Sequence, residues 1–138
     1  GLARAALEDT RRTLDESGVV IASAGPVPAP SSAAATFISM EADWEASLLL
    51  TLTAAWLADN RKPNSMEASM AKAKAGRVCN EITLRCVELA GTLGYSETEF
   101  LEKWSRDSKI LDIFEGTQQI QQLIVARRLL GLTSSELR

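Results

Sequence analysis

Histidine is absent from the 138 residues, so acid–base chemistry in this chain falls to carboxylates, Lys, Tyr or Cys. The HExxH metalloprotease pattern and the Ser-His-Asp triad are excluded within it. An excess of positive charge is also missing. The net charge is −3 with a pI near 5.0, which argues against a nucleic-acid surface, since phosphate binding needs clustered Lys and Arg. No basic amphipathic face of the membrane-surface kind is present, and no apolar run reaches the ~18–20 residues of a membrane-crossing helix. The two cysteines, Cys79 and Cys86, lie close to two helical turns apart and lack CxxC spacing. They read as small core residues of a reducing compartment rather than a disulfide. Aromatic residues make up 5%.

Hydrophobic residues make up 46%, charged residues 24%, and mean hydropathy is −0.02. That is a soluble globular composition, long enough for one domain with a real core. The start, GLARAALEDT, lacks a basic segment followed by an apolar one. A cytoplasmic location is expected, although an abrupt start in helix-like sequence leaves open a targeting segment upstream of it.

Residues 2–17 are rich in Ala, Leu, Glu and Arg, with Leu2, Ala6, Leu7 and Leu14 on one side of a helix that Gly18 can cap. Residues 18–31 hold Val19-Val20-Ile21 and a Pro-rich stretch from Gly25, and are expected to form a loop. A long helix is expected from about Ser32 to Asn60, its face carrying Phe37, Met40, Trp44, Leu48, Thr51 or Leu52, and Ala55. Asn64-Ser65-Met66-Glu67 resembles a capping box opening a helix to about Ala90. Its expected apolar side is Met66, Met70, Ala75, Val78, Ile82, Cys86 and Leu89, and Lys72 to Arg77 are expected on a solvated face. Ser96-Glu97-Thr98-Glu99 reads as a second capping box before a short helix through Trp104 and Ser108. Thr117 can N-cap a last helix to Leu130, closed by Gly131. Trp44, Trp56 and Trp104 are expected in core or interface packing, and Arg106 and Asp107 as an ion pair positioning the short helix. The expected fold class is all-α, a four-helix up-and-down bundle with one extra short helix, in a single domain over residues 1–138.

Between the last two helices stand Ile113-Phe114-Glu115-Gly116-Thr117 and a Gln-rich run. A carboxylate buried there would be costly unless used or bonded. Four segments in register give it a context: Ala68-Ser69-Met70-Ala71-Lys72, Glu88-Leu89-Ala90-Gly91-Thr92-Leu93-Gly94-Tyr95, Arg106-Asp107-Ser108-Lys109-Ile110 and Phe114-Glu115-Gly116-Thr117-Gln118-Gln119-Ile120-Gln121. Together they resemble the C-terminal helical domain of the acyl-CoA dehydrogenase family. The resemblance implies α,β-dehydrogenation of an acyl-CoA or acyl-carrier thioester with FAD as hydride acceptor. It implies Glu115 as the base that abstracts the α-proton, Gly116 close to substrate, and Thr117 and Gln119 near the flavin or its diphosphate. It also implies Gly91 in a turn that meets the FAD of a neighbouring subunit. An electron-transfer flavoprotein as acceptor and a homotetramer (dimer of dimers) or hetero-oligomer follow from the same resemblance. The family's N-terminal helical and middle β domains have no counterpart in this sequence.

The family's R-x-x-F-G segment corresponds to Ser17-Gly18-Val19-Val20, and its Q-x-x-G-G turn to one bearing Glu88 and Thr92. A carboxylate facing a diphosphate repels it, so the contact to a neighbour's FAD is expected to be altered while the base is kept. Two rivals follow: a divergent subunit of a hetero-oligomeric dehydrogenase, and a non-catalytic helical interaction module.

Overall fold

The computed structural model describes residues 1–21 and 30–136. Most of the expected Pro-rich loop, residues 22–29, lies outside the described residues. Five α-helices follow in order: α1 Leu2–Glu16, α2 Ser32–Asp59, α3 Ser65–Ala90, α4 Leu101–Leu111 and α5 Gln118–Leu130, with one 3₁₀ turn at Leu93–Tyr95. Among the described residues there is no strand. The all-α expectation holds, and α3 is the axis of the arrangement: α1, α2, α4 and α5 all pack against it, and among the described residues α5 packs against no other helix.

The central place of α3 explains its composition. A helix covered from several sides must offer small residues wherever a neighbouring backbone comes close. Ser69, Ala71, Gly76, Thr83 and Ala90 are buried beside Val78, Cys79, Ile82, Cys86 and Val87. The expected side residues Met66, Met70, Ala75 and Leu89 are only half-buried. The core joins Ala6, Leu7 and Leu14 of α1, Phe37 and Met40 of α2, those α3 residues and Leu101 of α4. Polar contacts fix the outer helices: the Arg11 guanidinium pairs with Glu41 at 2.7 Å and lies 4.9 Å from the Phe37 ring centre, while Lys74 reaches Asp43 at 2.9 Å. Cys79 and Cys86 are buried and free, without a disulfide. Burial pushes the Cys86 thiol up to about 11.

Helix α1 ends as Gly18 suggests. Gly18 has φ 77°, and the Val19 N–H reaches back to the Leu14 carbonyl at 3.0 Å. Gly131 closes α5 in the same way. At the end of α2 a non-glycine residue, Arg61, takes φ 54° and the Lys62 N–H bonds to the Leu57 carbonyl at 2.8 Å. Neither expected capping box forms. Asn64 turns away from α3 to donate its side-chain amide to the Ala54 carbonyl of α2 at 3.1 Å. Ser96 accepts from the Thr98 N–H at 3.2 Å, and α4 begins five residues later, at Leu101, with no side-chain cap. Nor do Arg106 and Asp107 pair with each other. Arg106 bonds Glu102 twice, each at 2.9 Å, and Asp107 pairs with Lys103, each partner four residues away on the same helix face.

The expected apolar face of α2 is only partly covered. Phe37, Met40, Ala34, Ser47 and Ala54 are buried, Trp44 and Leu48 half-buried, and Thr51, Leu52 and Ala55 exposed. Trp44 carries the Arg4 guanidinium 5.0 Å from its ring centre, and Trp104 stacks on Phe100 at 5.7 Å. Trp56, by contrast, is 55% exposed, with the Lys62 ammonium 4.5 Å from its ring centre.

Candidate functional site

The turn between α4 and α5 is held by unusual backbone geometry. Glu115 has φ 57° and Gly116 φ 97°. Two successive left-handed residues reverse the chain, and for a residue with a Cβ this conformation costs about 1–2 kcal/mol. Three bonds maintain it: the Ile113 and Phe114 N–H groups each reach the Ile110 carbonyl at 3.0 Å, and the Gln121 side-chain amide donates to the Glu115 carbonyl at 3.1 Å.

The turn rests on α3 through Gly76. A Cβ there would lie 2.9 Å from the Leu111 carbonyl oxygen and 3.1 Å from the Asp112 Cα, so only a residue without a side chain lets the end of α4 sit this close. Further along the same interface, the buried Ser108 hydroxyl donates to the Ser105 carbonyl at 2.8 Å. It accepts from the Asn80 amide at 2.9 Å and lies 2.9 Å from the Thr83 hydroxyl. A satisfied polar cluster in an apolar interface fixes one register of α4 on α3, because any slip leaves buried groups unpaired. Gly76 and this cluster went unnoticed in the sequence. The small, polar run of α3 carried a signal, but its meaning depends on which backbone crosses it.

Glu115 borders a cleft of about 470 Å³ walled by Leu2, Trp44, Leu48, Leu111 and Phe114. Glu115 is exposed in this chain, so the cost of burying a carboxylate does not arise among the described residues. Lys72 lines the same cleft. Its Nζ is buried and has no hydrogen-bond partner, which corrects its expected place on a solvated face. The expected face does hold for Arg77, exposed and paired with Glu81 at 2.8 Å.

Gly116, Thr117 and Gln119 follow Glu115 directly. Thr117 is the N-cap of α5, yet its side chain makes no cap hydrogen bond. The first-turn amides of α5 therefore lack intrahelical partners, as at any helix start. Gly91 lies elsewhere. It is exposed at the far end of α3, roughly 28 Å along the axis from Lys72 at ~1.5 Å per residue. The structure thus brings four of the five expected site residues together and leaves Gly91 apart. Glu88, one turn before Gly91, is exposed beside it. Among the described residues no group of His, Cys, Asp or Glu side chains could hold a metal ion, and no helix is long and apolar enough to cross a membrane.

Comparison with known proteins agrees with this geometry. The family model for the acyl-CoA dehydrogenase C-terminal domain matches residues 1–130. The caffeyl-CoA reductase–Etf complex subunit CarC of Acetobacterium woodii is 43% identical over 86 residues, which are 62% of this chain and 23% of that protein. The mitochondrial short-chain specific acyl-CoA dehydrogenase of Bos taurus is 43% identical over 86 residues, 62% of this chain and 21% of its own length. This chain thus spans about a fifth of the length of these relatives. The structure of butyryl-CoA dehydrogenase from Megasphaera elsdenii superposes with a TM-score of 0.80 at 29% identity, covering 94% of this chain and 33% of that one. A chain in a structure of the electron transferring flavoprotein of Acidaminococcus fermentans superposes at 0.82 and 30%, with coverage of 94% and 33%. The chain belongs to the acyl-CoA dehydrogenase family and is the family's C-terminal helical domain.

Proposed function

We propose that this domain supplies the base of an FAD-dependent acyl-CoA dehydrogenase, removing the α-proton of an acyl-CoA or acyl-carrier thioester through Glu115, within a protein longer than this chain. The observation that carries the reading is the left-handed Glu115 held at the edge of an apolar cleft, two residues before the N-cap of α5. A thioester α-C–H is far less acidic than a carboxylic acid, so the carboxylate needs help. Excluding water raises its proton affinity, and hydrogen bonds to the thioester oxygen stabilise the developing enolate. Trp44, Leu48 and Phe114 supply the apolar wall of such an enclosure. Gly116, without a side chain, allows the backbone to approach the substrate.

The residues at the start of α5 fit FAD. The Thr117 hydroxyl is not used as a cap, and the helix start offers unpaired N–H groups and a favourable dipole to anionic groups. Thr117 and Gln119 would hold the flavin or its diphosphate, and the bound flavin supplies the hydride acceptor for Cβ. Around Gly91 the fit is poorer, because exposed Glu88 is a carboxylate where an anionic ligand of a neighbouring subunit would lie. That observation favours a second reading, in which this chain comes from a divergent subunit whose partners share FAD sites unequally. Isolation of the protein from its source, as one polypeptide or two, separates this from a homotetramer. An electron-transfer flavoprotein is the proposed electron acceptor, supported by the Etf complex named for the Acetobacterium relative.

The test is Glu115→Gln in the complete protein. Dehydrogenation should fall by about 10²–10⁴-fold, the usual worth of a positioned base, with flavin content unchanged. Unchanged activity would leave the helical interaction module as the surviving reading.

A further inference from the structure

Three residues of α3, Gly76, Asn80 and Thr83, stand at i, i+4 and i+7 and so share one face. Helix α4 runs antiparallel across that face, with Ser108 beside Asn80 and Thr83 and the Leu111–Asp112 backbone against Gly76. The Ser108 hydroxyl is used to capacity. It donates to the Ser105 carbonyl at 2.8 Å and accepts from the Asn80 amide and the Thr83 hydroxyl, each at 2.9 Å, which spends its one proton and both lone pairs. Ser108 and Thr83 are both 0% exposed, so water cannot replace a lost partner. Sliding α4 by one residue would move it about 1.5 Å along its axis and turn it by ~100°, taking Ser108 off both partners. The polar cluster and the Gly76 contact thus hold α4 at two heights, one helical turn apart.

Glu115 inherits this placement. Among the described residues no side chain bonds to its carboxylate, so its backbone sets where that group lies. The turn that carries it is built on the end of α4, through the Ile113 and Phe114 N–H groups on the Ile110 carbonyl. Its other hold is the Gln121 amide on the Glu115 carbonyl, and among the described residues α5, which carries Gln121, packs on no helix but α3. We propose that Ser108, with Asn80 and Thr83, positions the Glu115 carboxylate against the thioester α-carbon by fixing how far α4 reaches along α3. Buried in the helix interface, Ser108 is a positioning residue that acts through Glu115, and the proposal rests on the reading of Glu115 as the base. Proton transfer tolerates little misplacement. A shift of about 1 Å costs on the order of 10²-fold in rate, and the loss falls on the chemical step.

The experiment is single-turnover flavin reduction by a saturating acyl thioester in the complete flavin-loaded protein. Ser108→Ala should slow the limiting rate by about 10–10²-fold, with flavin content and the half-saturating thioester concentration unchanged. A wild-type limiting rate overturns the proposal. Ser108→Ala also leaves the Asn80 amide without its partner, which lowers stability, so a paired variant separates stability from position. In Asn80→Leu/Ser108→Ala both partners become apolar, and the Thr83 hydroxyl still has the Cys79 carbonyl at 2.9 Å. Its urea midpoint should return towards wild type while its limiting rate stays low. A rate that recovers with the midpoint makes the cluster a stabiliser only and overturns the proposal. If neither variant holds flavin, Asn80→Ala decides by the same rate, because Asn80 is half-buried and its loss removes one of the two bonds to Ser108. Glu115→Gln separates the two ideas: flavin reduction at the wild-type rate refutes the base, whereas its loss beside a wild-type rate in Ser108→Ala refutes only the positioning.

Discussion

At the scale of single residues, the site depends on positions that carry no chemistry themselves. Gly76→Ala would press a methyl group against two backbone atoms of the Leu111–Asp112 segment, and backbone cannot give way as a flexible side chain can. Denaturant unfolding of the variant should show a loss of about 1–3 kcal/mol. Dehydrogenation by the complete protein should fall as well, because relief of the clash displaces the Glu115 turn. Cys86 gives a second prediction. Its thiol is raised from 9.0 to about 11 in the folded chain by burial, so the folded state keeps its proton when the unfolded state has begun to lose it. The resulting stabilisation is complete below pH 9 and lost between pH 9 and 11. Urea unfolding at pH 8 and pH 11 should show wild type losing about 2–3 kcal/mol more than Cys86→Ala over that interval. The turn at residues 114–117 was legible in the sequence as a break between two helices, with Gly116 and the Thr117 N-cap marking it. Lys72 was misread because a helical period tells which residues share a face, not which turn of chain later covers it.

At the scale of elements, periodicity located the five helices to within a few residues, since each sets at least part of an apolar stripe against a neighbour. The capping residues were less legible. Asn64 and Ser96 both had the right chemistry, but each found another partner, Ala54 across the interface and Thr98 in the local turn. A cap is a competition among nearby donors and acceptors, and sequence spacing shows only one competitor. The register of α4 on α3 was equally hidden, because Asn80, Thr83 and Ser108 meet only after folding. Helix α5 stands out energetically: it contains no buried residue and packs on α3 alone. Its local opening should therefore need less free energy than that of α3. Amide hydrogen exchange of this chain should show α5 exchanging fastest among the helices and α3 slowest. Equal protection of the two would contradict the packing.

At the scale of the whole molecule, the chain leaves apolar surface uncovered. Leu49, Leu52 and Trp56 on α2 and Leu129 and Leu130 on α5 are each more than half exposed. These faces, and the open cleft beside Glu115, support burial against other parts of a longer protein or other subunits. The site offers FAD a helix start and few other groups, so the isolated chain should bind FAD weakly. A titration followed by flavin fluorescence should show no stoichiometric complex, and a yellow purified chain would contradict this. The all-α fold was fully legible in the sequence; the exposure of Glu115 was not, because a motif between two helices does not say which surface a neighbouring segment covers. The central claim, that Glu115 removes the α-proton, is tested most directly by isotope exchange. The complete flavin-loaded protein is incubated in heavy water with an acyl thioester that can lose an α-proton but has no β-hydrogen to transfer. Wild type should incorporate deuterium at Cα and Glu115→Gln should not, with equal flavin content; exchange at the wild-type rate in Glu115→Gln would contradict the account.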